Sequence, residues 1–311
     1  MTVVQKRPKG MLSLGLACID AAMRNRTEHV PTEQVYPDDV VRHGSFVAGG
    51  GLGWRIATLE TPRETPAPWK IVVITGAPSW AEYWAPVLAE LPKNREMVVV
   101  NRPGFGASEP FICVSDIRVQ AQALAPVLDT APGQKLLLVG QSYGAAIATL
   151  MAELRPGKVN SLVLLSSFLG ETGPTARWLV ETGAKVLQMI PRDLRNAVME
   201  VSSQAGQLVH MRSALRRLPM PVHILHGDKD DFAPIEFAEQ LAKEARGRKP
   251  IRFETVPGAD HFLTDGPAEA LIAYLESCIP PEPANWRLPK LTLPKLNWFA
   301  PRPIKGDVAA A

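Results

Sequence analysis

The sequence predicts an α/β protein with a mostly parallel, twisted β-sheet that is flanked by helices and interrupted by a helical insertion. Three observations lead to this prediction. Short apolar runs alternate with helical patterns from Trp69 to Cys278. The runs are continuous rather than alternating with polar residues, which is typical of parallel strands buried on both faces. The alternation stops at Phe168 and resumes after Leu218.

Six apolar runs have the length and the β-branched or leucine content of buried strands. They are 70–75, 97–101, 135–139, 161–166, 221–226 and 251–256. Helical patterns lie at 80–91, 114–128, 145–154, 235–245 and 267–278. An earlier pair of strands, 46–48 and 54–59, is predicted to be joined by a turn at Gly49–Gly51, since glycine permits the backbone of a tight turn.

The chain is predicted to divide into four parts. An N-terminal extension comes first, the α/β core is built from two segments, a helical cap separates them, and a proline-rich basic and aromatic tail ends the chain. The boundaries are 1–38 for the extension, 39–167 and 219–278 for the core, 168–218 for the cap and 279–311 for the tail. The cap is predicted to contain two or three helices over 175–190 and 194–216, with Pro191 between the two ranges. Alternatively, these helices form a pair that only packs its own apolar faces together, but the position between two strands favours a cap.

The segment Gly140–Gly144 (GQSYG) lies between a predicted buried strand and a predicted helix rich in small residues. A G-x-S-x-G motif in that context is a nucleophile elbow, which presents the serine hydroxyl above the sheet edge. A side chain at either glycine would collide with the neighbouring strand and helix. The alternative is an ordinary glycine-rich turn in which Ser142 caps the helix.

A serine hydroxyl needs a base that takes its proton, so the elbow predicts a downstream acid and histidine. His261 follows the strand at 251–256, and Asp228, Asp230 and Asp231 follow the strand at 221–226. Because the carboxyl ends of parallel strands meet at one sheet edge, these loops can converge on Ser142. His261 is predicted to be the base, and an aspartate is predicted to orient it. The residues alone do not choose among the three aspartates.

The tetrahedral intermediate carries a negative charge that needs N–H donors. The backbone N–H of Tyr143 is one predicted donor, and the other comes from the loop Gly76-Ala77-Pro78. We assign it to Ala77, because proline has no N–H. The ring of Tyr143 is predicted to form part of a pocket wall.

Four further segments resemble motifs of the α/β-hydrolase fold family, and the resemblance covers about Gly53 to Cys278. Residues 75–78 (TGAP) resemble its H-G-x-P oxyanion turn, and 101–108 (NRPGFGAS) resemble its D-x-x-G-x-G-x-S turn. Residues 227–234 resemble its G-x-x-D-x-x-x-P acid loop, and 258–262 (GADHF) resemble its G-x-G-H-F histidine loop. The resemblance selects Asp230 as the acid and implies a triad of Ser142, Asp230 and His261.

The sequence departs from these family motifs at three positions. Thr75 replaces the usual histidine, Asn101 replaces the usual aspartate, and Asp260 replaces a frequent glycine and places a negative charge beside His261. That charge favours a protonated histidine, which would raise its pKa. A serine at the elbow argues against the family's epoxide hydrolases and haloalkane dehalogenases, which need a carboxylate nucleophile.

The expected function is a serine hydrolase that cleaves a carboxylic ester or a related acyl compound. A C–C bond hydrolase, a perhydrolase, an acyltransferase or a non-catalytic hydrolase-like binding protein are the alternatives. Trp80, Tyr83 and Trp84 either line an apolar pocket for the small-molecule substrate or belong to the core. No cofactor or metal ion is expected.

Composition narrows the remaining classes. The net charge of +3 and the absence of a recognition motif argue against a nucleic-acid partner. Three widely spaced cysteines fit a reduced, cytoplasmic location better than a disulfide framework or a zinc site. The stretch 11–19 resembles a signal peptide, but it ends at Asp20 and lacks a cleavage site, so an amphipathic helix is favoured.

In the predicted tail, tryptophan, leucine and phenylalanine interleave with arginine and lysine over 286–299, and prolines punctuate the whole segment. A segment of this kind can contact an anionic membrane surface or a partner protein. An extended tail along its own domain is the alternative, which we favour. The oligomeric state does not follow from the sequence.

Overall fold

The structure, a computed structural model, describes residues 2–5, 33–244 and 251–280. The predictions for the stretch 11–19, for Cys18 and for the tail beyond Pro280 lie outside these residues. Two four-residue strands, β1 (Thr2–Gln5) and β2 (Glu33–Tyr36), pair antiparallel in a sheet of their own. They were not predicted, because four residues are too few to show a periodic pattern.

The main sheet has eight strands in the spatial order β10-β9-β8-β7-β5-β6-β4-β3. The strands are β3 (Arg42–Val47), β4 (Arg55–Glu60), β5 (Trp69–Ile74), β6 (Arg95–Val100), β7 (Lys135–Gln141), β8 (Ser161–Leu165), β9 (Val222–Gly227) and β10 (Ile251–Val256). Strands β5 to β10 are parallel, whereas β3 and β4 form an antiparallel hairpin and β4 also pairs antiparallel with β6. The fold is therefore the predicted mostly parallel α/β sheet.

Helices cover both faces of this sheet. They are α1 (Ala85–Glu90), α2 (Ile117–Leu124), α3 (Gly144–Leu154), α4 (Pro174–Lys185), α5 (Arg192–Gln204), α6 (Leu208–Arg217), α7 (Ile235–Glu244) and α8 (Ala268–Ser277). Apolar side chains of α2, α3, α6 and α7 build the core on one face, and those of α1 and α8 build it on the other. The central strands are buried on both faces as predicted, but the edge strand β10 is only partly buried because it has one neighbour.

Three helices, α4 to α6, lie between strands β8 and β9. Three helices agree with the predicted two or three, and a short 3₁₀ turn, Ala205–Gln207, separates α5 from α6 within the predicted range 194–216. Gly206 in this turn explains the break, because glycine in a helix interior is destabilising by roughly 1 kcal/mol relative to alanine. In the part of the chain that the structure describes, no helix is long and apolar enough to cross a membrane.

Candidate active site

Ser142 lies in the sharp turn between β7 and α3, at the carboxyl end of the central strand. Its φ of 51° is in the left-handed region, which typically costs on the order of 1–3 kcal/mol for a residue other than glycine. Three backbone hydrogen bonds hold it there. The Ser142 N–H donates to Leu165 O (2.9 Å), and Ser142 O accepts from Ala145 (3.1 Å) and Phe168 (3.2 Å). The side chain stays partly exposed.

The two glycines of the elbow stand where no side chain fits. A Cβ at Gly140 would lie 2.8 Å from the Cβ of Ala148, and one at Gly144 would lie 2.3 Å from the carbonyl oxygen of Ile74. Real Cβ atoms essentially never approach other atoms this closely. The prediction that a side chain at either glycine would collide with its neighbours is therefore confirmed.

The structure brings Ser142, His261 and Asp230 together in one hydrogen-bonded chain. His261 Nε2 lies 2.9 Å from Ser142 Oγ, and His261 Nδ1 lies 2.8 Å from Asp230 Oδ2. A carboxylate only accepts hydrogen bonds, so Nδ1 carries the proton and Nε2 is free to accept the serine proton. Phe232 stacks on the imidazole at 5.2 Å between ring centroids, and Phe262 meets it edge-on at the same distance.

The Asp230 carboxylate is fully buried but well supplied with donors. The N–H groups of Phe232 and Ala233 donate to Oδ1 at 3.0 and 2.8 Å. His226 and His261 both approach Oδ2. Burial opposes the charged form, but the hydrogen bonds from His226, His261 and Ala233 outweigh it and hold the pKa of Asp230 below its usual range.

His226 is a residue of this site that the sequence reasoning missed. Its Nε2 lies 3.1 Å from Asp230 Oδ2 and 2.8 Å from the carbonyl oxygen of Ala233. Both partners only accept, so Nε2 carries the proton, and it approaches Oδ2 whereas the backbone donors reach Oδ1. The available signal was a histidine at the end of an apolar strand, four residues before the acid.

The other acids of these loops have separate partners. Asp228 accepts from the N–H of Gly258 at 2.6 Å, and Asp231 accepts from the hydroxyl of Thr175 at the start of α4. Asp260 accepts from the backbone N–H two residues later, at 2.8 Å. Among the described residues, no group of three or more histidine, cysteine or acidic side chains could hold a metal ion.

The loop after β5 lies directly against the serine. A Cβ at Gly76 would be 2.9 Å from the Cβ of Ser142, so only glycine permits this approach. The next residue is Ala77, one of the two predicted oxyanion donors, and Tyr143 is the other. No described residue accepts a hydrogen bond from the N–H of Ala77 or of Tyr143. Both donors remain available to an oxygen atom of a substrate.

Thr75 and Asn101, which differ from the family motifs, make other hydrogen bonds. The hydroxyl of Thr75 donates to Val100 O at 2.9 Å and is also hydrogen-bonded to Ser79. The side chain of Asn101 accepts from the N–H of Ala81 at 2.7 Å. Both bonds tie the segment from Thr75 to Ala81 to the end of β6 without a histidine or an aspartate.

The aromatic residues after the oxyanion turn belong largely to the interior. Trp80 and Trp84 are buried, and their indole N–H groups donate at 2.9 Å to Asp193 and Gln141, respectively. The expectation that the ring of Tyr143 forms a pocket wall was wrong, since Tyr143 is 1% exposed. Its side chain lies in the interior, where its hydroxyl donates to Ser115 O at 3.2 Å.

The cysteines that the structure describes are free thiols away from this chain of hydrogen bonds. Burial, reinforced by the charge of Glu200, raises the pKa of Cys113 to about 12. Burial likewise raises the pKa of Cys278. Thiols with raised pKa values are poor nucleophiles, because the thiolate is the reactive form.

Known proteins share the fold of this chain. The family model for the α/β hydrolase fold matches residues 70–204. A 2-hydroxy-6-oxononadienedioate/2-hydroxy-6-oxononatrienedioate hydrolase from Paraburkholderia phymatum is 34% identical over 120 residues, which cover 38% of this chain. The chain spans 41% of the length of that relative.

Two further similarities extend over more of the chain. A pimeloyl-[acyl-carrier protein] methyl ester esterase from Methylococcus capsulatus is 25% identical over 254 residues, or 70% of this chain and 96% of the relative. The solved structure of a thermophilic esterase from Thermogutta terrifontis superimposes with a TM-score of 0.58 and 19% identity, over 76% of this chain and 99% of the esterase. The chain has the α/β-hydrolase fold, the fold of the matching family model.

Proposed function

We propose that this protein is a serine hydrolase that cleaves a carboxylic ester, or a related acyl compound, through an acyl-enzyme. The observation that carries the proposal is the hydrogen-bonded chain from Ser142 Oγ through His261 to Asp230, with distances of 2.9 and 2.8 Å. Nucleophile, base and orienting acid are within reach of one another before any substrate binds, as this chemistry requires.

In the first half of the reaction, His261 Nε2 takes the proton of Ser142 while Oγ bonds to the carbonyl carbon of the ester. The carbonyl oxygen becomes an oxyanion, which accepts from the N–H groups of Ala77 and Tyr143. The intermediate then collapses and the bond to the alcohol oxygen breaks. His261 returns the proton to that oxygen, and the acyl group remains on Ser142.

In the second half, a water molecule replaces the alcohol. His261 takes a proton from the water as its oxygen bonds to the acyl carbon, and the same two N–H groups hold the oxyanion. Collapse breaks the bond to Ser142 Oγ, which regains the proton from His261, and the carboxylic acid leaves. Asp230 remains ionised throughout and stabilises the imidazolium that forms in each half.

We further propose that α4 to α6 form a cap over an apolar acyl pocket. Their position between β8 and β9 supports this role, because loops after parallel strands lie at the edge where Ser142 stands. The rings of Phe232 and Phe262 beside His261 support an apolar surrounding. Similarity to a methyl ester esterase favours an ester as the substrate.

Hydrolysis of a carbon–carbon bond next to a carbonyl group is the second candidate. The same serine, histidine and oxyanion donors serve that reaction. Similarity to a 2-hydroxy-6-oxononadienedioate hydrolase supports it as a candidate. A series of p-nitrophenyl esters from acetate to octanoate tests ester hydrolysis. The proposal expects p-nitrophenol release that rises with chain length and that falls by at least about 10⁴-fold in Ser142→Ala. Absence of release with every ester from the wild-type protein would contradict ester hydrolysis.

A further inference from the structure

The side chain of Arg102 connects the candidate oxyanion turn to the inserted helices. It follows β6, is 0% exposed, and lies behind the loop that carries Ala77. Its Nε donates to the carbonyl oxygen of Thr75 at 2.9 Å, and its Nη2 donates to the carbonyl oxygen of Gly76 at 2.7 Å. A single guanidinium thus holds two successive carbonyl groups of this turn.

By holding the carbonyl of Gly76, Arg102 also sets the direction of the Ala77 N–H. The carbonyl of Gly76 and the N–H of Ala77 belong to the same peptide group. That peptide bond is trans, because the cis bonds of the described residues follow Ala77 and Glu109. In a planar trans peptide the C=O and N–H bonds point in opposite directions. When Arg102 holds Gly76 O on the inner side, the Ala77 N–H must point to the outer side.

The outer side of the turn is the side of the nucleophile. Gly76 is so close to Ser142 that a Cβ at Gly76 would lie 3.4 Å from its Oγ. No described residue takes the Ala77 N–H as a donor. The orientation that Arg102 fixes is therefore the orientation that the proposed oxyanion hole needs.

Arg102 is itself held rigidly by groups that use all of its donors. Nη1 donates to Gln120 Oε1 at 2.8 Å and to Glu200 Oε1 at 2.7 Å, and Nη2 also donates to Glu200 Oε2 at 2.8 Å. With the two turn carbonyls, these bonds occupy the five N–H groups of the guanidinium. The rings of Phe105 and Tyr143 lie 4.9 and 4.7 Å from its central carbon.

The negative charge that pairs with Arg102 is the carboxylate of Glu200, which lies in the insertion. Glu200 is on α5, which turns a mostly polar face toward the interior; its buried residues are Arg192, Asp193, Asn196, Ala197, Glu200 and Gln204. Both partners of the Arg102–Glu200 pair are 0% exposed. Burying such a pair costs solvation, and apolar replacements of similar size are often equally stable. Stability alone therefore does not account for charges at these positions.

We propose that Arg102 is a positioning residue that aims the Ala77 N–H at the oxyanion, and that Glu200 couples the inserted helix α5 to this function. The inference rests on the proposed function, because it assigns a role in the same reaction. It adds that the insertion contributes to transition-state stabilisation through a buried side chain that touches no substrate.

The main test replaces both charges with apolar side chains, in the double variant Arg102→Met/Glu200→Leu, and uses the p-nitrophenyl ester that the wild type hydrolyses fastest. No buried charge is left unpaired, so the variant is expected to remain folded, with a Tm lowered by the loss of the hydrogen bonds to Thr75 O, Gly76 O and Gln120. Loss of one oxyanion donor typically lowers kcat by about 10²- to 10³-fold. We expect a fall in kcat of about 10²-fold, with KM changed by less than about threefold, and an equal fall in the rate of labelling by a fluorophosphonate.

A second variant keeps the positive charge at position 102 but removes the planar set of N–H donors. Arg102→Lys keeps a positive charge opposite Glu200, but a single ammonium group cannot hold both turn carbonyls and the carboxylate in the planar arrangement of a guanidinium. It is expected to remain folded and to show the same fall in kcat. The control is Asn196→Ala, which removes a 2.7 Å hydrogen bond from α5 to Gly104 O without contact to the turn. Its kcat should match that of the wild type.

The outcomes are distinguishable. Wild-type kcat in the double variant or in Arg102→Lys would overturn the inference while leaving the proposed function standing. The same loss in Asn196→Ala, or a loss confined to KM, would also overturn it, because general loosening of the insertion would then explain the effect. A wild-type protein that neither hydrolyses esters nor reacts with a fluorophosphonate would overturn the proposed function, and this inference with it.

Discussion

At the scale of single residues, the contacts of Ser142 restrict the positions of the reacting groups. The serine occupies a left-handed backbone conformation, and Gly76 approaches it at a distance that excludes any side chain. The oxygen, the base and the two candidate oxyanion donors therefore have fixed relative positions. Such preorganisation lowers the reorganisation that the reaction itself must drive.

Gly76→Ala tests this close approach. The new Cβ would lie 2.9 Å from the Cβ of Ser142, so the turn or the serine must move. We expect kcat for a p-nitrophenyl ester to fall by at least about 10²-fold, as misplacement by 1 Å can cost, while the protein stays folded.

Gly206→Ala is the matched glycine control. No atom lies within 4 Å of a Cβ at this position, and alanine there reduces the entropy of the unfolded chain. We expect unchanged kcat and a gain of up to about 1 kcal/mol in the free energy of unfolding. Equal losses of activity in both variants would show that the close approach at Gly76 has no special role.

The buried Asp230 carboxylate predicts a pH dependence of stability. Its pKa is lower in the folded chain than in the unfolded chain, where it is about 3.9. Its contribution to stability is therefore fully present above that unfolded value and is lost as the pH falls toward the folded pKa. Urea unfolding of wild type and Asp230→Asn from pH 7 to pH 3 measures this contribution as a difference. The difference should narrow below about pH 4, and a constant difference would contradict the assignment.

At the scale of elements, the contact between β7 and α3 carries the elbow. The first turn of α3 passes so close to β7 that only glycine fits at 140, and so close to the end of β5 that only glycine fits at 144. A helix of small residues follows, and all of its residues from 144 to 152 are buried. The strand and the helix together hold Ser142 at the sheet edge.

Gly140→Ala tests the spacing of these two elements. The added methyl would lie 2.7 Å from the Cα of Ala145, which is backbone and cannot rotate away. Overpacking of this kind typically costs about 1–3 kcal/mol. We expect a lower midpoint in urea unfolding with an unchanged m-value, together with reduced kcat. A variant as stable and active as the wild type would show that the strand and helix can separate without consequence.

The elements also show what a single sequence can predict. The central strands and the helices α3, α7 and α8 have uninterrupted patterns and were predicted within a few residues. The sequence left open whether the insertion has two or three helices, because one glycine in an otherwise helical pattern is often tolerated. The order serine, aspartate, histidine was predictable because each residue follows a strand whose carboxyl end lies at the same edge, whereas the choice of Asp230 among three aspartates came from the resemblance to family motifs.

At the scale of the whole molecule, the site depends on residues that are far apart in the chain. Arg102 and Glu200 are separated by 98 positions, and Glu200 lies in an insertion with no visible motif. Neither residue could be connected to the oxyanion turn from the sequence, since nothing in a local pattern reports such a pairing. His226 was missed for the related reason that burial of its ring against Asp230 depends on the packing of β8, β9 and β10.

The central claim is that Ser142 is an activated nucleophile, and covalent labelling tests it most directly. The wild-type protein is incubated with a fluorophosphonate, and the modified peptide is identified by mass spectrometry. The account predicts one adduct per chain, located on Ser142, which is absent in Ser142→Ala and forms far more slowly in His261→Ala. A wild-type protein that stays unmodified, or an adduct that persists in Ser142→Ala, would contradict it.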